Sequence, residues 1–194
     1  MLVREVMSSP AFTVSADTSV REALRLLDEH AITALPVVDD ADGIVGVVSE
    51  ADLVREGVLP DVRTHMIPIH VTASAPARTV AEVMTRTVLT VSSASDLADA
   101  VDLMTATVVK SLPVVDGGRV VGVVSRRDVV RVLARRDESI RQDVDELVRS
   151  ERVDWLVEVT DGVVSLAGPV DEHERRLAEA LAGSVAGVVA VRVT

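Results

Sequence analysis

Two four-residue segments hold the side chains best placed for binding chemistry: Ser49-Glu50-Ala51-Asp52 and Ser125-Arg126-Arg127-Asp128. Each follows a Gly-Val-Val run that reads as strand, and each opens a predicted helix. The start of a helix presents N–H groups without intrahelical partners and the positive end of the dipole, which favours phosphate. A carboxylate one turn into such a helix can accept two hydrogen bonds from ribose hydroxyls. Ser and Asp at these places are also what helix capping requires, and the residues alone leave both readings open.

The elements that must position these corners occur twice. Leu35-Pro36-Val37-Val38-Asp39 returns as Leu112-Pro113-Val114-Val115-Asp116, and Val6-Met7 returns as Val83-Met84, each 77 residues later. Beyond the turn the offset falls by one, because Asp39-Asp40-Ala41-Asp42-Gly43 becomes Asp116-Gly117-Gly118-Arg119. Such a change is ordinary loop variation. Each copy reads as strand, helix, strand, strand, helix. The first strands are expected at Phe12–Val14 and Val88–Val91. Asp17 or Thr18 is expected to cap the first helix of copy one, and Ser95 or Asp96 that of copy two. Val20, Ala23, Leu24 and Leu27 share one helix face, as do Leu97, Ala100, Val101 and Met104. The Val-rich runs then flank Asp/Gly turns as hairpins, and their weak alternation implies strands covered on both faces.

Pro60, Pro68 and Pro76 mark a linker between the copies, with a short lead-in helix from Thr79 to Met84. His65 and His70 in that linker could be a metal pair or solvated loop residues; no third ligand is arranged around them. From Asp137 the pattern changes. A helix is expected over Ser139–Ser150, facing inward through Ile140, Val144 and Leu147. A strand alternates through Val153, Trp155, Val157 and Val159, and Asp161-Gly162 signals a tight turn. A second strand carries Val163, Val164 and Leu166 and ends at Gly168-Pro169. A helix over Asp171–Ala182 faces inward through Leu177, Ala180 and Leu181, and a last strand runs Val188–Val193. Trp155 reads as the packing anchor of the first strand, with an exposed binding aromatic as the other reading.

The duplicated Leu-Pro-Val-Val-Asp and Gly-Val-Val-Ser-x-x-Asp segments resemble a tandem CBS-domain pair, a Bateman module. Asp161-Gly162-Val163-Val164-Ser165-Leu166-Ala167-Gly168, with Val170 and Gly187-Val188-Val189-Ala190-Val191, is similar to a BON domain. The implied fold is mixed (α+β or α/β): two β-α-β-β-α CBS domains in pseudo-twofold arrangement, then a small α-β-β-α-β domain. The expected boundaries are 1–58 for the first CBS domain, 59–78 for the linker, 79–136 for the second and 138–194 for the BON domain. The resemblance implies two clefts for an adenosine-containing ligand such as AMP, ADP, ATP or S-adenosylmethionine, and a homodimer through the CBS modules. It assigns ribose contact to Asp52 and Asp128, with Ser49 and Ser125 reaching ribose or phosphate. Thr13, Val14, Thr90 and Val91, with Val37 and Val114, take the places of the adenine walls, although as apolar strand residues the valines are core first.

The copies differ in charge. The resemblance implies that cations just before the strand proline and near the second helix hold phosphate. Copy two offers Lys110, Arg126 and Arg127 where copy one has Thr33, Glu50 and Ala51. The cleft of Asp128 is therefore expected to take a phosphorylated adenosine ligand, and that of Asp52 to bind weakly, take a less charged adenosine compound, or stay empty. Arg126 and Arg127 as solvated helix residues is the competing reading.

Composition narrows the remaining classes. The net charge of −11 repels nucleic acid and anionic membrane, and Phe12 and Trp155 are the only aromatics, so no stacking platform exists. Glu138 to Thr194 carries 12 acidic and 6 basic residues, a poor match to anionic lipid, so the BON resemblance implies here an accessory module for an unknown protein or ligand. No cysteine is present, which removes thiol chemistry and disulfides. The first residues lack a signal-peptide core, and a cytoplasmic location is expected. His30, His65, His70 and His173 are scattered, no phosphate-binding glycine loop occurs, and no enzyme or required cofactor is expected. An unliganded CBS/BON scaffold is the alternative function.

Overall fold

Ala34-Leu35-Pro36-Val37-Val38 contains no polar side chain, and in the computed structural model of the chain it forms a strand whose three central residues are all buried. The structure describes residues 1–57, 77–151 and 153–194, and the chain divides into two compact units. The His65 and His70 reading lies outside the described residues.

One unit comprises Ser8–Ser93 and Val109–Val124. Strand β1 (Val14–Ser15) runs parallel to β2 (Ala34–Val38), with Val14 opposite Val37. Antiparallel to β2 lies β3 (Ile44–Ser49), with Ala34 opposite Ser49. Asp39 Oδ1 organises their turn by accepting from the N–H groups of Ala41 (2.9 Å) and Gly43 (2.8 Å). Helix α1 (Val20–His30) follows β1, and α2 (Glu50–Gly57) follows β3. Val14, Val20, Ala23, Leu27, Leu35, Val37, Val48, Leu53 and Val80 form one core, the spacing expected of a helix face against apolar strands.

Two local expectations change. The cap of α1 is Ser19, whose Oγ accepts from Glu22 N–H at 3.1 Å, not Asp17 or Thr18; Thr18 Oγ1 is engaged upstream by Ser15 N–H at 3.1 Å. The first strand begins at Val14, and Phe12 instead stacks on His30, with ring centroids 3.7 Å apart.

In the same unit β4 (Ser111–Asp116) and β5 (Arg119–Ser125, its last residue excepted) form the second hairpin. Its turn places Gly117 and Gly118 at φ 57° and 82°, a conformation that glycine reaches without a Cβ penalty. Val91 bridges to Val114 in parallel, repeating the pairing of Val14 with Val37. The expected strand at Val88–Val91 reduces to that one bridge.

The copies exchange their leading segments. Ser8 pairs with Val123 of the second hairpin, through N–H···O bonds of 2.9 and 3.0 Å, and Thr85 pairs with Val47 of the first, at 2.9 Å each way. Thr79 bridges Ser19, the cap of α1. Correspondingly, Leu2 bridges Asp96, the cap of the first helix of copy two. Two single 3-10 turns, Val3–Glu5 and Val80–Glu82, sit at these exchanges, each with its valine fully buried.

The other unit comprises Met1–Met7, Ala94–Val108 and Ser125–Thr194. It holds α3 (Leu97–Ala106), capped by Asp96 Oδ1 from Ala98 N–H at 3.0 Å, and α4 (Arg126–Leu133). After α4 come α5 (Asp137–Ser150), β6 (Leu156–Thr160), β7 (Val163–Ala167), α6 (Glu172–Ser184) and β8 (Ala190–Val193). Strand order is β6-β7-β8, with β6 antiparallel and β8 parallel to β7. Ile140, Val144, Val148, Trp155, Val157, Val164, Leu166, Ala178, Ala182 and Val185 form the core. Val148 rather than Leu147 is the deepest residue near the end of α5, and Ala178 and Ala182 replace Ala180, which is exposed. Trp155 is 7% exposed and therefore a packing residue. Asp161 and Gly162 both take positive φ in the β6–β7 turn, and their N–H groups donate to Asp137 at 2.8 and 2.9 Å.

Candidate functional site

Both Ser-x-x-Asp corners form, with the same geometry. At the first, Ser49 N–H and Ser49 Oγ donate to Asp52 Oδ2 at 2.9 and 2.6 Å, and Asp52 N–H reaches back to Ser49 Oγ at 3.4 Å. At the second, Ser125 N–H and Oγ donate to Asp128 Oδ2 at 2.9 and 2.6 Å, and Asp128 N–H reaches Ser125 Oγ at 3.4 Å. This is a reciprocal capping box. The β-strand ends on a serine in extended backbone, and the helix begins where that serine and the acid three residues on satisfy one another.

The capping has a consequence for anion binding. At the first corner Ser49 N–H is held by Asp52, Glu50 N–H donates to the Thr33 carbonyl at 2.9 Å, and Asp52 N–H is used by Ser49. The amides that the sequence offered to phosphate are largely engaged within the protein.

The two acids differ in their second oxygen. Asp128 is 5% exposed, and its Oδ1 accepts from Arg131 Nη1 at 3.1 Å. Asp52 is half-buried, and among the described residues its Oδ1 has no hydrogen-bond partner. Arg131 was not among the residues singled out from the sequence; its place one turn after Asp128 was the available signal.

Two of the basic residues are engaged within the protein. The sequence grouped Lys110 with Arg126, Arg127 and Asp128. Its Nζ instead donates to Glu50 Oε1 at 2.7 Å, beside Ser49 at the first corner. Arg126 Nη2 donates to the Met104 carbonyl at 2.6 Å, which satisfies one of the last carbonyls of α3. That guanidinium is therefore anchored to the protein rather than freely solvated. Arg127 is an exposed residue of the first turn of α4.

Val37 and Val114 are fully buried, Val14 is 5% exposed, and Val91 is half-buried, so these are core positions. Thr13 and Thr90, the residues just before Val14 and Val91, are exposed. The structure thus joins Val14 with Val37, Val91 with Val114, Ser49 with Asp52, Ser125 with Asp128, and Lys110 with Glu50. Thr90, Val91, Val114 and Lys110 belong to one compact unit and Ser125 to Asp128 to the other. Among the described residues no group of three His, Cys, Asp or Glu could hold a metal ion, and no helix is long and apolar enough to cross a membrane.

Comparison with known proteins agrees with the duplication. The CBS domain description matches residues 3–58 and 80–135. A CBS domain-containing protein of Dictyostelium discoideum is 31% identical over 142 residues, covering 70% of this chain and 92% of that protein. The chloroplastic CBS domain-containing protein CBSX2 of Arabidopsis thaliana is 35% identical over 134 residues, covering 61% of this chain and 56% of its own length. The crystal structure of CBSX2 in complex with AMP superposes with a TM-score of 0.55 at 33% identity, covering 67% of this chain and 93% of that one. The CBS domain pair of protein MJ0100, in complex with 5′-methylthioadenosine and S-adenosyl-L-methionine, gives a TM-score of 0.56 at 28% identity, covering 68% and 94%. This chain belongs to the CBS-domain family and carries a tandem pair of CBS domains.

Proposed function

We propose that the chain is a regulatory sensor of adenosine-containing ligands, in which Asp52 and Asp128 grip ribose and no reaction is catalysed. The observation that carries this reading is the duplicated Ser-x-x-Asp corner, with matching hydrogen-bond lengths in both copies, in a CBS pair. The AMP complex of CBSX2 and the nucleoside complexes of MJ0100 support the ligand class. Thr13, Val14 and Val37 line the adenine side for the first corner in this reading, and Thr90, Val91 and Val114 are their counterparts in copy two. Ser125, Arg126 and Arg127 supply the phosphate side of the second. Thermal-shift measurements with AMP, ADP, ATP, S-adenosylmethionine, 5′-methylthioadenosine and NAD test it. A ligand that binds only the folded chain raises the midpoint by linkage, and Asp52→Ala with Asp128→Ala should abolish the rise. No shift with any of them would overturn the sensor reading.

One observation favours a second reading, an unliganded scaffold: at both corners one oxygen of the acid is already engaged by its own serine, as capping alone requires. The same panel separates the two.

We place the protein in the cytoplasm and assign residues 138–194 to a BON-like accessory module that contacts a protein partner. The element order α5-β6-β7-α6-β8 and the Asp161-Gly162 turn support that assignment. A homodimer through the CBS modules fits the exposed apolar residues Val130 and Leu133 of α4, and an open groove of about 400 Å³ between α3 and α4 lined by Val101, Met104, Val129 and Val130. Light scattering on wild type and Val130→Asp tests the dimer.

A further inference from the structure

The sheet of β6, β7 and β8 buries one face and leaves the other bare. Val157, Val164 and Leu166 enter the core that α5 and α6 complete, and Val159, Val191 and Val193 pack against it. Strand alternation turns the remaining side chains the other way. On that side Glu158 lies opposite Ser165, and Ser165 opposite Arg192, so an acid and a base sit at the two ends of one row across the sheet. Thr160, Val163 and Ala190 form the row beside it, and Leu156 and Ala167 face each other on its other flank. Leu156 is 64% exposed, and Glu158 and Arg192 are exposed, so no described part of the chain covers this face. Among the described residues neither Glu158 nor Arg192 has an ion-pair partner.

We infer that this face binds the same face of a second copy of the chain, stacked with the strands of both copies running the same way. Sheets packed face to face keep their strand directions nearly aligned. A two-fold axis between them then runs either across the strands or along them. With the axis across the strands and the rows in register, Glu158 meets the partner's Glu158 and Arg192 the partner's Arg192, and both contacts repel. With the axis along the strands the outer strands trade places. Glu158 then meets the partner's Arg192, and Arg192 the partner's Glu158, while Ser165 meets its own counterpart. The pattern is self-complementary in that orientation alone. Its balance of charge also gives two chains of net charge −11 a place to meet. Ser165, Ala167 and Ala190 are short and let the sheets approach. Three strands about 4.8 Å apart and five residues long make a face roughly 15 by 17 Å. That is below the about 800 Å² per partner of a stable interface, so the association is weak and driven by concentration. The charges at its rim set orientation more than strength. The inference rests on the sheet itself and goes beyond the accessory-module reading, which names no partner.

The test is sedimentation velocity of the full chain from micromolar to millimolar concentration, in a Val130→Asp background that disables the α3–α4 groove. That parent should self-associate as concentration rises. Glu158→Arg alone and Arg192→Glu alone should each weaken the association by about tenfold or more, because each sets like charges opposite one another. Mixed in equal amounts, the two variants should associate with each other about as well as the parent does with itself, since each supplies the charge the other lacks. The chain carrying both exchanges should regain self-association. Both positions are exposed, and unchanged Trp155 emission verifies that each variant is folded. A parent that stays monomeric at millimolar concentration, a Glu158→Arg variant that associates like the parent, or a mixture that does not associate overturns the pairing. Each of these leaves the accessory-module reading standing, with a different protein as the partner.

Discussion

Arg131 Nη1 donates to Asp128 Oδ1 at 3.1 Å, closing the oxygen that Asp52, its counterpart in the first copy, leaves without a partner among the described residues. In the proposed sensor, a ribose approaching Asp128 would therefore compete with a guanidinium, and one approaching Asp52 would not. Arg131→Ala should strengthen adenosine binding at the second corner by up to about fivefold, since a pair with one exposed partner contributes about 0.2–1 kcal/mol. Adenosine rather than AMP is the right probe, because it has no phosphate for Arg131 to attract. Weaker adenosine binding in Arg131→Ala, measured calorimetrically, would show that the arginine assists the ligand.

The capping boxes make a second expectation that does not involve ligand. Ser49→Ala and Ser125→Ala each remove a cap and the hydroxyl donor to an acid, a change that costs about 0.5–2 kcal/mol. Loss of a donor to a buried carboxylate costs more than to a half-buried one. Ser125→Ala should therefore destabilise the chain more than Ser49→Ala, because Asp128 is 5% exposed and Asp52 is half-buried. Urea denaturation of both variants and of the two Ser→Thr controls, which keep a hydroxyl, measures the difference. An equal loss at the two sites would contradict it.

Much of this architecture was legible because its signals are local. The turn glycines, the Asp96 cap and the Ser-x-x-Asp corners each lie within a few residues of what they organise. The exchange of leading segments was not legible. Val3–Glu5 and Val80–Glu82 are single turns with no periodicity, and the partners of the residues just before them, Asp96 for Leu2 and Ser19 for Thr79, are set by chain crossing rather than by neighbours. Lys110 was misplaced for the same reason: its proximity to Pro113 in sequence suggested the second corner, whereas its charge is used 60 residues away, at Glu50. Ser19 was overlooked as a cap because Asp17 and Thr18 are equally good residue types, and only the course of the backbone decides among three adjacent candidates.

Gly168 and Trp155 give a third expectation. Gly168 has φ 132°, and a Cβ there would lie 2.7 Å from Trp155 Cδ1 and 3.3 Å from Trp155 Cα. The second of these is backbone and cannot swing aside. Gly168→Ala should cost about 1–3 kcal/mol by overpacking, with added strain from the positive φ. Trp155 is the sole tryptophan, so its fluorescence reports the C-terminal unit directly. The variant should shift emission to the red and lower the unfolding midpoint followed by that signal. An unchanged spectrum and midpoint would mean that the indole moves without cost.

A pH effect is expected at the start of α5. Arg141, hydrogen-bonded to Glu138 at 2.8 and 3.2 Å, holds the Glu138 carboxyl below its usual range. A carboxyl depressed in the folded state adds stability above its unfolded value, and that contribution is lost as pH falls through the lower folded value. Glu138→Gln should therefore flatten the acid limb of the stability profile and leave it unaltered well below the folded value. A difference between wild type and variant that grows toward low pH would reverse the sign.

Arg135 supports the last expectation, because it fastens the segment after α4 to α5 and to the turn between α6 and β8. Its Nη1 donates to the Ala186 carbonyl at 2.8 Å, and its Nη2 donates to Ser139 Oγ at 2.8 Å and Asp143 Oδ2 at 2.6 Å. The side chain is 25% exposed, which makes these charge-assisted bonds harder for water to replace. Beside it, Gly187 at φ 91° lets the backbone come close enough that a Cβ would sit 3.1 Å from the Val132 carbonyl and 3.2 Å from Arg135 Cβ. Removing the guanidinium leaves the Ala186 carbonyl and the Asp143 carboxylate short of a donor. Hydrogen bonds to charged groups contribute about 1.5–3 kcal/mol each, so Arg135→Ala should loosen this junction severely, and Arg135→Lys, which lacks the planar fork, should recover little. Hydrogen exchange locates the effect. Amides of Val188–Val193 should lose protection while those of β2 and β3, in the other compact unit, keep theirs. Uniform loss of protection across both units would mean that Arg135 serves global stability rather than this junction.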